Sequence, residues 1–121
     1  MKILSLHCDY IKFKALKKAL KEPEALSKED EKGHEVKECL VILTSVEKGD
    51  NDSIVKKLVE NIADITGQVK CKTIVLYPYS HLSSNLASPD IAVATLKAAE
   101  KELKKKFTVV RAPFGYYKEF E

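Results

Sequence analysis

The chain has 121 residues, 45% of them hydrophobic, with 4 glycines and 4 prolines, which excludes collagenous and disordered classes and leaves room for one globular domain. Twenty-one basic against 18 acidic residues give a formal charge of +3, too small for the sequence-independent grip of a polybasic nucleic-acid binder. The basic set is lopsided, since Arg111 is its one arginine and all the rest are lysines.

Residues 2–9 alternate around Ile3, Leu4 and Leu6 and predict a strand; in residues 10–20 Tyr10, Ile11, Phe13 and Leu16 fit a second strand while Ala15 to Lys21 also suits a helix, and a strand followed by a loop is the favoured reading. Residues 22–35 carry Pro23, Gly33 and a dense mix of Glu, Lys and Asp, the composition of a solvated connection or hairpin tip. Residues 39–43, Cys-Leu-Val-Ile-Leu, are continuously apolar and predict a strand buried on both faces. A helix is expected from Asp50–Asp52, whose carboxylates can cap it, to Gly67, with Ile54, Val55, Leu58, Val59, Ile62 and Ile65 in one stripe. Residues 73–77 form a β-branched strand that runs into a polar loop at 78–87. Ser88-Pro89-Asp90 then opens a second helix whose buried face is Ile91, Ala92, Thr95, Leu96, Ala99 and Leu103, and whose last turn is Lys104–Lys106. Residues 107–110 predict the final strand, and 111–121 an extended tail. The order β, β, β, α, β, α, β predicts a small α/β domain, one mixed sheet with both amphipathic helices on one face and the other face open to self-association as a homodimer.

Cys8, Cys39 and Cys71 are odd in number, widely spaced and without a CxxC, so reduced thiols are expected and no cofactor or metal is implied. No apolar run approaches the ~20 residues of a membrane helix, and His7 interrupts the first apolar stretch too early for a signal peptide. A cytoplasmic protein without membrane contact is therefore expected. In open α/β sheets ligands sit beyond the carboxyl ends of strands. Two segments leave such ends with unusual residue sets: Tyr77-Pro78-Tyr79-Ser80-His81-Leu82-Ser83-Ser84 and Ala112-Pro113-Phe114-Gly115-Tyr116-Tyr117-Lys118. Their bases are expected to meet at one edge of the sheet and share a pocket. By residue type, His81 there is either a solvated or locally bonded imidazole or a catalyst, and Tyr116 and Tyr117 are half-buried packing groups or ligand contacts. Lys104–Lys106 complement the helix dipole as readily as they would contact phosphate. Nucleotide-binding glycine loops, HExxH and HxE with PCxxC are absent, and Ser83-Ser84 lacks the glycines of a nucleophile elbow.

On His7-Cys8-Asp9-Tyr10-Ile11, Ser45-Val46-Glu47-Lys48 and the two strand-exit segments, the chain resembles the N-terminal editing domain of archaeal threonyl-tRNA synthetases over nearly its whole length. That family is similar in fold to D-aminoacyl-tRNA deacylases, whose SQFT and GPxT signatures are missing here. The resemblance implies a single editing domain over 1–121, with the family's last carboxyl-terminal segment and the aminoacylation core outside these residues. It also implies hydrolysis of the ester of mischarged L-seryl-tRNA(Thr) by substrate-assisted water attack. The tRNA(Thr) 3′ end carrying serine and the remainder of the synthetase are the implied partners. Carried over residue by residue, Lys118 and His81 are catalytic, and Val46, Ser80 and Tyr117 surround the aminoacyl group and terminal adenosine; the family commonly has Ala where this chain has Ser80. A D-aminoacyl-tRNA deacylase and a non-catalytic module binding a tRNA acceptor end are the competing readings.

Overall fold

The computed structural model describes residues 1–21 and 23–120, with the side chains of Tyr117, Glu119 and Phe120 outside that description. Five strands, β1 (Lys2–Lys18), β2 (His34–Ser45), β3 (Thr73–Pro78), β4 (Thr108–Arg111) and β5 (Tyr116–Phe120), form one sheet in the order β4-β3-β2-β1-β5. β2, β3 and β4 are parallel, while β1 runs antiparallel to β2 and to β5. The sheet is mixed, as expected. Between its strands lie α1 (Lys28–Lys32), α2 (Asp52–Val69), a 3-10 turn at Ser80–Leu82, and α3 (Pro89–Leu103).

The two β-α-β steps from β2 to β4 advance in one direction across the sheet, which puts both long helices on one face. Leu40, Ile42, Ile74 and Leu76 from the strands meet Leu58 and Ile62 of α2 and Leu96 and Leu103 of α3 there, all at most 3% exposed. Each such aliphatic side chain contributes on the order of 1.5–3 kcal/mol by leaving water. The run from Cys39 to Ile42 is buried on both faces, so its continuous apolarity has the expected cause.

The second face is covered differently from expectation. Residues 2–18 form one long strand rather than two. Phe13 pairs with His34 and Tyr77 with Leu43. Nine residues of flat strand between His34 and Leu43 would set the two aromatics about 30 Å apart. Their rings instead meet edge to face with centroids 5.6 Å apart, so the distal half of the β1–β2 hairpin folds back over the sheet. The bend lies where the burial alternation of β1 changes phase between Cys8 and Ile11, opposite Glu38 at φ 46°. Ile11 and Phe13 thus pack on Cys39, Val41 and Val75. The face expected to be open for self-association is largely occupied, with Leu4 and Leu6, 47% and 43% exposed, left beside it.

Local chemistry corrects several boundaries. The connection at 22–35 contains α1, whose N-cap Ser27 accepts from the Asp30 N–H while Asp30 accepts from the Ser27 N–H. At α2 the cap is Asn51, accepting from Ser53 and Ile54; Asp50 instead accepts from the Glu47 N–H and the Met1 ammonium. α2 continues through Gly67 to Val69 and ends where Lys70 turns left-handed. α3 opens on Pro89 without a side-chain cap from Ser88 and closes at Leu103, so Lys104–Lys106 follow it as a turn, with Lys104 and Lys105 paired to Glu100 and Glu102. The expected tail pairs with the end of β1 as β5. The three cysteines are free thiols; Cys39 and Cys71 are buried, and burial pushes the Cys39 thiol up to about 11.

Candidate active site

Parallel strands share a direction, so β2, β3 and β4 present their carboxyl ends together. A cavity of about 470 Å³ opens there, lined by Thr44, Ser45 and Val46 at the end of β2, Pro78 to His81 at the end of β3 and just past it, and Phe114 and Gly115 after β4. The fold-back of the hairpin returns the end of β1 to the same place. Ala19, Leu20 and, from β5, Tyr116 and Lys118 therefore close one side, and Ala92 and Leu96 of α3 form the floor. The two strand-exit segments share one pocket, as their sequence order implied.

His81 and Lys118 line the same cavity. His81 is exposed and packs edge to face on Tyr79, centroids 5.2 Å apart. Tyr79 is tied to β2: its N–H donates to the Thr44 carbonyl at 2.9 Å, and the Ser45 hydroxyl donates to its carbonyl. Lys118 lies inside, with Nζ 5.1 Å from the Tyr77 ring centroid and 3.4 Å from the Tyr116 carbonyl. Burial pushes its ammonium pKa down to about 8 against the opposing pull of the Glu24 carboxylate. Burial, with the Tyr79 phenol, pushes Tyr77 up to about 12.

Val46, 4% exposed, forms the opposite wall with Leu86 and Ala87. That wall is pinned by the Ala87 N–H donating to the Val46 carbonyl at 3.0 Å, Lys48 N–H to the Asn85 carbonyl at 3.1 Å, and the Ser83 hydroxyl to Glu47 at 2.6 Å. Glu47 and Asp50 both receive the Met1 ammonium at 2.8 Å. Ser80 lines the cavity and is exposed. Tyr117 pairs through its backbone with Lys17, and its side chain lies outside the described residues. Among the described residues no group of three His, Cys, Asp or Glu side chains could hold a metal, and no helix is long and apolar enough to cross a membrane.

Glu24 and Arg111 were not among the residues expected at the site. The Arg111 guanidinium grips both Glu24 oxygens at 2.6 Å and Glu100 at 3.0 Å through Nε. The signal was Arg111 itself, since a lone guanidinium among lysines marks a place where a planar fork is needed. Burial would raise the Glu24 pKa, but Arg111 and the Phe114 N–H hold it below the ordinary carboxylate value.

Residues 1–121 match the family model described as the archaea-specific editing domain of threonyl-tRNA synthetase. The chain is 50% identical over 122 residues to a threonine–tRNA ligase of Staphylothermus marinus, covering 99% of this chain and 20% of that protein. It is 46% identical over 120 residues to a threonine–tRNA ligase editing subunit of Saccharolobus solfataricus, covering 99% of this chain and 30% of that one. The chain thus spans a fifth to under a third of these relatives' lengths. In fold it is similar to the c-Myc DNA unwinding element binding protein, with a TM-score of 0.75 at 10% identity, covering 100% of this chain and 90% of that one.

Proposed function

Because the chain belongs to the archaea-specific editing domain family of threonyl-tRNA synthetase, we propose that it hydrolyses the ester of L-seryl-tRNA(Thr). The observation that carries this reading is the convergence of His81 and Lys118, from separate strand exits, on one cavity of about 470 Å³, a volume typical of small-molecule sites. The need is physical. Serine lacks one methyl of threonine, and a methyl-sized contact supplies only ~1–3 kcal/mol of discrimination at a charging site, so a second sieve must remove the error.

In this reading a water oxygen attacks the seryl carbonyl, the bond from carbonyl carbon to ribose oxygen breaks, and that oxygen leaves with a proton. Serine and tRNA(Thr) are the products. The neighbouring ribose hydroxyl of the terminal adenosine orients the water, and backbone N–H groups of the cavity wall receive the developing oxyanion. The Lys118 ammonium adds positive charge in a site where burial makes it count for more. His81, held by Tyr79, positions the ester or ribose. Val46, Ser80 and Tyr117 contact the aminoacyl group and adenosine, and the Val46 wall excludes the extra methyl of threonine.

The tRNA(Thr) 3′ end and the remainder of a synthetase would be the partners, and the cytoplasm the place of action. A homodimer would cover the exposed Leu4 and Leu6 of β1. The test is a deacylation time course on L-seryl-, L-threonyl- and D-aminoacyl-tRNA(Thr), with a terminal adenosine whose free ribose hydroxyl is replaced by hydrogen as a fourth substrate. Rapid loss of the L-seryl ester alone is expected. Preference for D-aminoacyl esters, or binding without hydrolysis, would replace this reading, and an unchanged rate without the ribose hydroxyl would discard substrate assistance.

A further inference from the structure

One side of the cavity is not part of any regular element. Residues 19–21 leave β1, and they and residues 23–24 lie across the turn between β4 and β5. Ala19 and Leu20 N–H groups donate to the Gly115 carbonyl at 2.8 and 3.3 Å, and the Glu24 N–H donates to the Phe114 carbonyl at 3.1 Å. The contact is close: a Cβ added to Gly115 would lie 2.6 Å from the Pro23 Cβ. Ala19 and Leu20 on this strap, Phe114 and Gly115 on the turn beneath it, and Tyr116 where β5 begins all line the cavity. The wall is two irregular segments laid over each other, with backbone bonds at one end and Glu24 at the other.

Glu24 joins three pieces of chain. Its carboxylate takes both arms of Arg111 at the end of β4 and accepts from the Phe114 N–H at 3.1 Å, and Lys97 of α3 stands 3.9 Å away. Its carbonyl accepts from the Tyr116 hydroxyl at 2.7 Å. Arg111 in turn reaches Glu100 on α3. Glu24 and Arg111 side chains are both 12% exposed, so this pair is shielded from the screening that makes surface ion pairs weak. Neither lines the cavity.

We propose that the Glu24–Arg111 pair is a specificity-determining positioning device: it clamps the strap onto the turn and so sets how far the strap side of the cavity stands from the Val46 wall, the width on which the distinction between a seryl and a threonyl ester depends. The inference rests on the editing reading above and names the residues that set its selectivity. A bidentate fork holds a planar carboxylate in one orientation, and the wall it supports includes Leu20, Phe114 and Tyr116. Loosening the fork lets the wall give by fractions of an ångström, which is the scale on which one methyl is accepted or refused.

The test is the ratio of kcat/KM for L-seryl- over L-threonyl-tRNA(Thr) in wild type, Glu24→Gln, Arg111→Lys and the control Lys105→Gln. Partial unfolding scales both rates together and cancels in this ratio, so a purely structural role would not move it. Glu24→Gln and Arg111→Lys are each expected to lower the ratio about fivefold or more, within the range one methyl can supply, through faster relative loss of the threonyl ester. The double variant is expected to lose little beyond either single one, because both remove the same fork. Lys105→Gln should keep the wild-type ratio. If Glu24→Gln does not fold, Arg111→Lys retains charge and bulk and carries the test. A ratio within about twofold of wild type in the folded variants, whatever their absolute rates, overturns the proposal. Wild type that hydrolyses neither ester, or both equally, overturns the editing reading itself and the inference with it, an outcome visible before any variant is made.

Discussion

The Nζ of Lys118 lies 5.1 Å from the centroid of the Tyr77 ring, across the folded-back hairpin, and donates to the Tyr116 carbonyl at 3.4 Å. An aromatic face and one long carbonyl contact are poor replacements for water around an ammonium, so burial brings its pKa down to about 8. If the ammonium form serves the reaction, the enzyme-dependent rate, corrected for spontaneous hydrolysis, falls as pH rises through about 8. A rate that climbs through that range would make the neutral amine a general base instead.

The same shift predicts a trade between stability and activity. A lysine whose folded pKa is depressed costs stability where it is charged, so the cost is full below about 8 and disappears as pH rises towards the ordinary value of 10.5. Lys118→Met removes the cost, on the order of 2 kcal/mol after discounting residual solvent. It should raise Tm at pH 7 while lowering turnover, with the gain shrinking as pH rises above about 8 and gone near 10.5. Equal Tm values at pH 7 would show that the ammonium is better solvated than its surroundings indicate.

Gly115 has φ 92°, and a Cβ there would lie 2.6 and 2.8 Å from Cβ and Cα of Pro23. Gly115→Ala therefore meets strain from its backbone conformation and from the strap at once. A loss of ~1–3 kcal/mol by denaturant unfolding is expected, together with slower deacylation because the strap lines the site. Wild-type stability would mean that Leu20 and Pro23 of the strap move away at little cost.

At acid pH the carboxylates that receive ion pairs or N–H groups should dominate. Glu24, Asp30 and Glu47 each have pKa values below their ordinary 4.5, 3.8 and 4.5. For Glu24 and Asp30 burial works against the shift, and Arg111 and His34 outweigh it; for Glu47 the Met1 ammonium and the Ser83 hydroxyl supply it. Groups of this kind stabilise above the unfolded pKa and stop doing so as pH falls through the folded one. Tm should decline below about pH 4.5, and Glu24→Gln should flatten part of that decline. A slope unaffected by Glu24→Gln would remove the strap carboxylate from the acid limb.

The long helices and the inner strands were legible because their apolar residues keep one period: Val55, Leu58 and Ile62 on α2, Leu96, Ala99 and Leu103 on α3, and the run at Cys39–Leu43. The site was legible in outline for a different reason. Tyr77–Ser84 and Ala112–Lys118 place polar and aromatic groups just past strands, where an α/β sheet has room for a ligand. The fold-back was hidden because residues 2–9 and 10–20 alternate in different phases, and two phases read as two strands when one bent strand satisfies both. α1 was hidden by its charge: Ser27 and Asp30 form a capping box, but Glu29, Glu31 and Lys32 around them have the composition of a loop. β5 was hidden by Pro113 and Gly115, which read as an unpaired tail until the bent hairpin supplies an edge for it. Glu24 has no local signal, since its partner Arg111 lies at the far end of the chain.

Single-turnover deacylation of L-seryl-tRNA(Thr) by wild type, His81→Ala and Lys118→Met tests the central claim most directly, namely that the cavity shared by the imidazole and the ammonium is where the ester is cut. Wild type should remove serine far faster than buffer, and Lys118→Met should lose about a hundredfold with seryl-tRNA(Thr) binding little changed. Rates equal to wild type in both variants would put the chemistry elsewhere on the molecule.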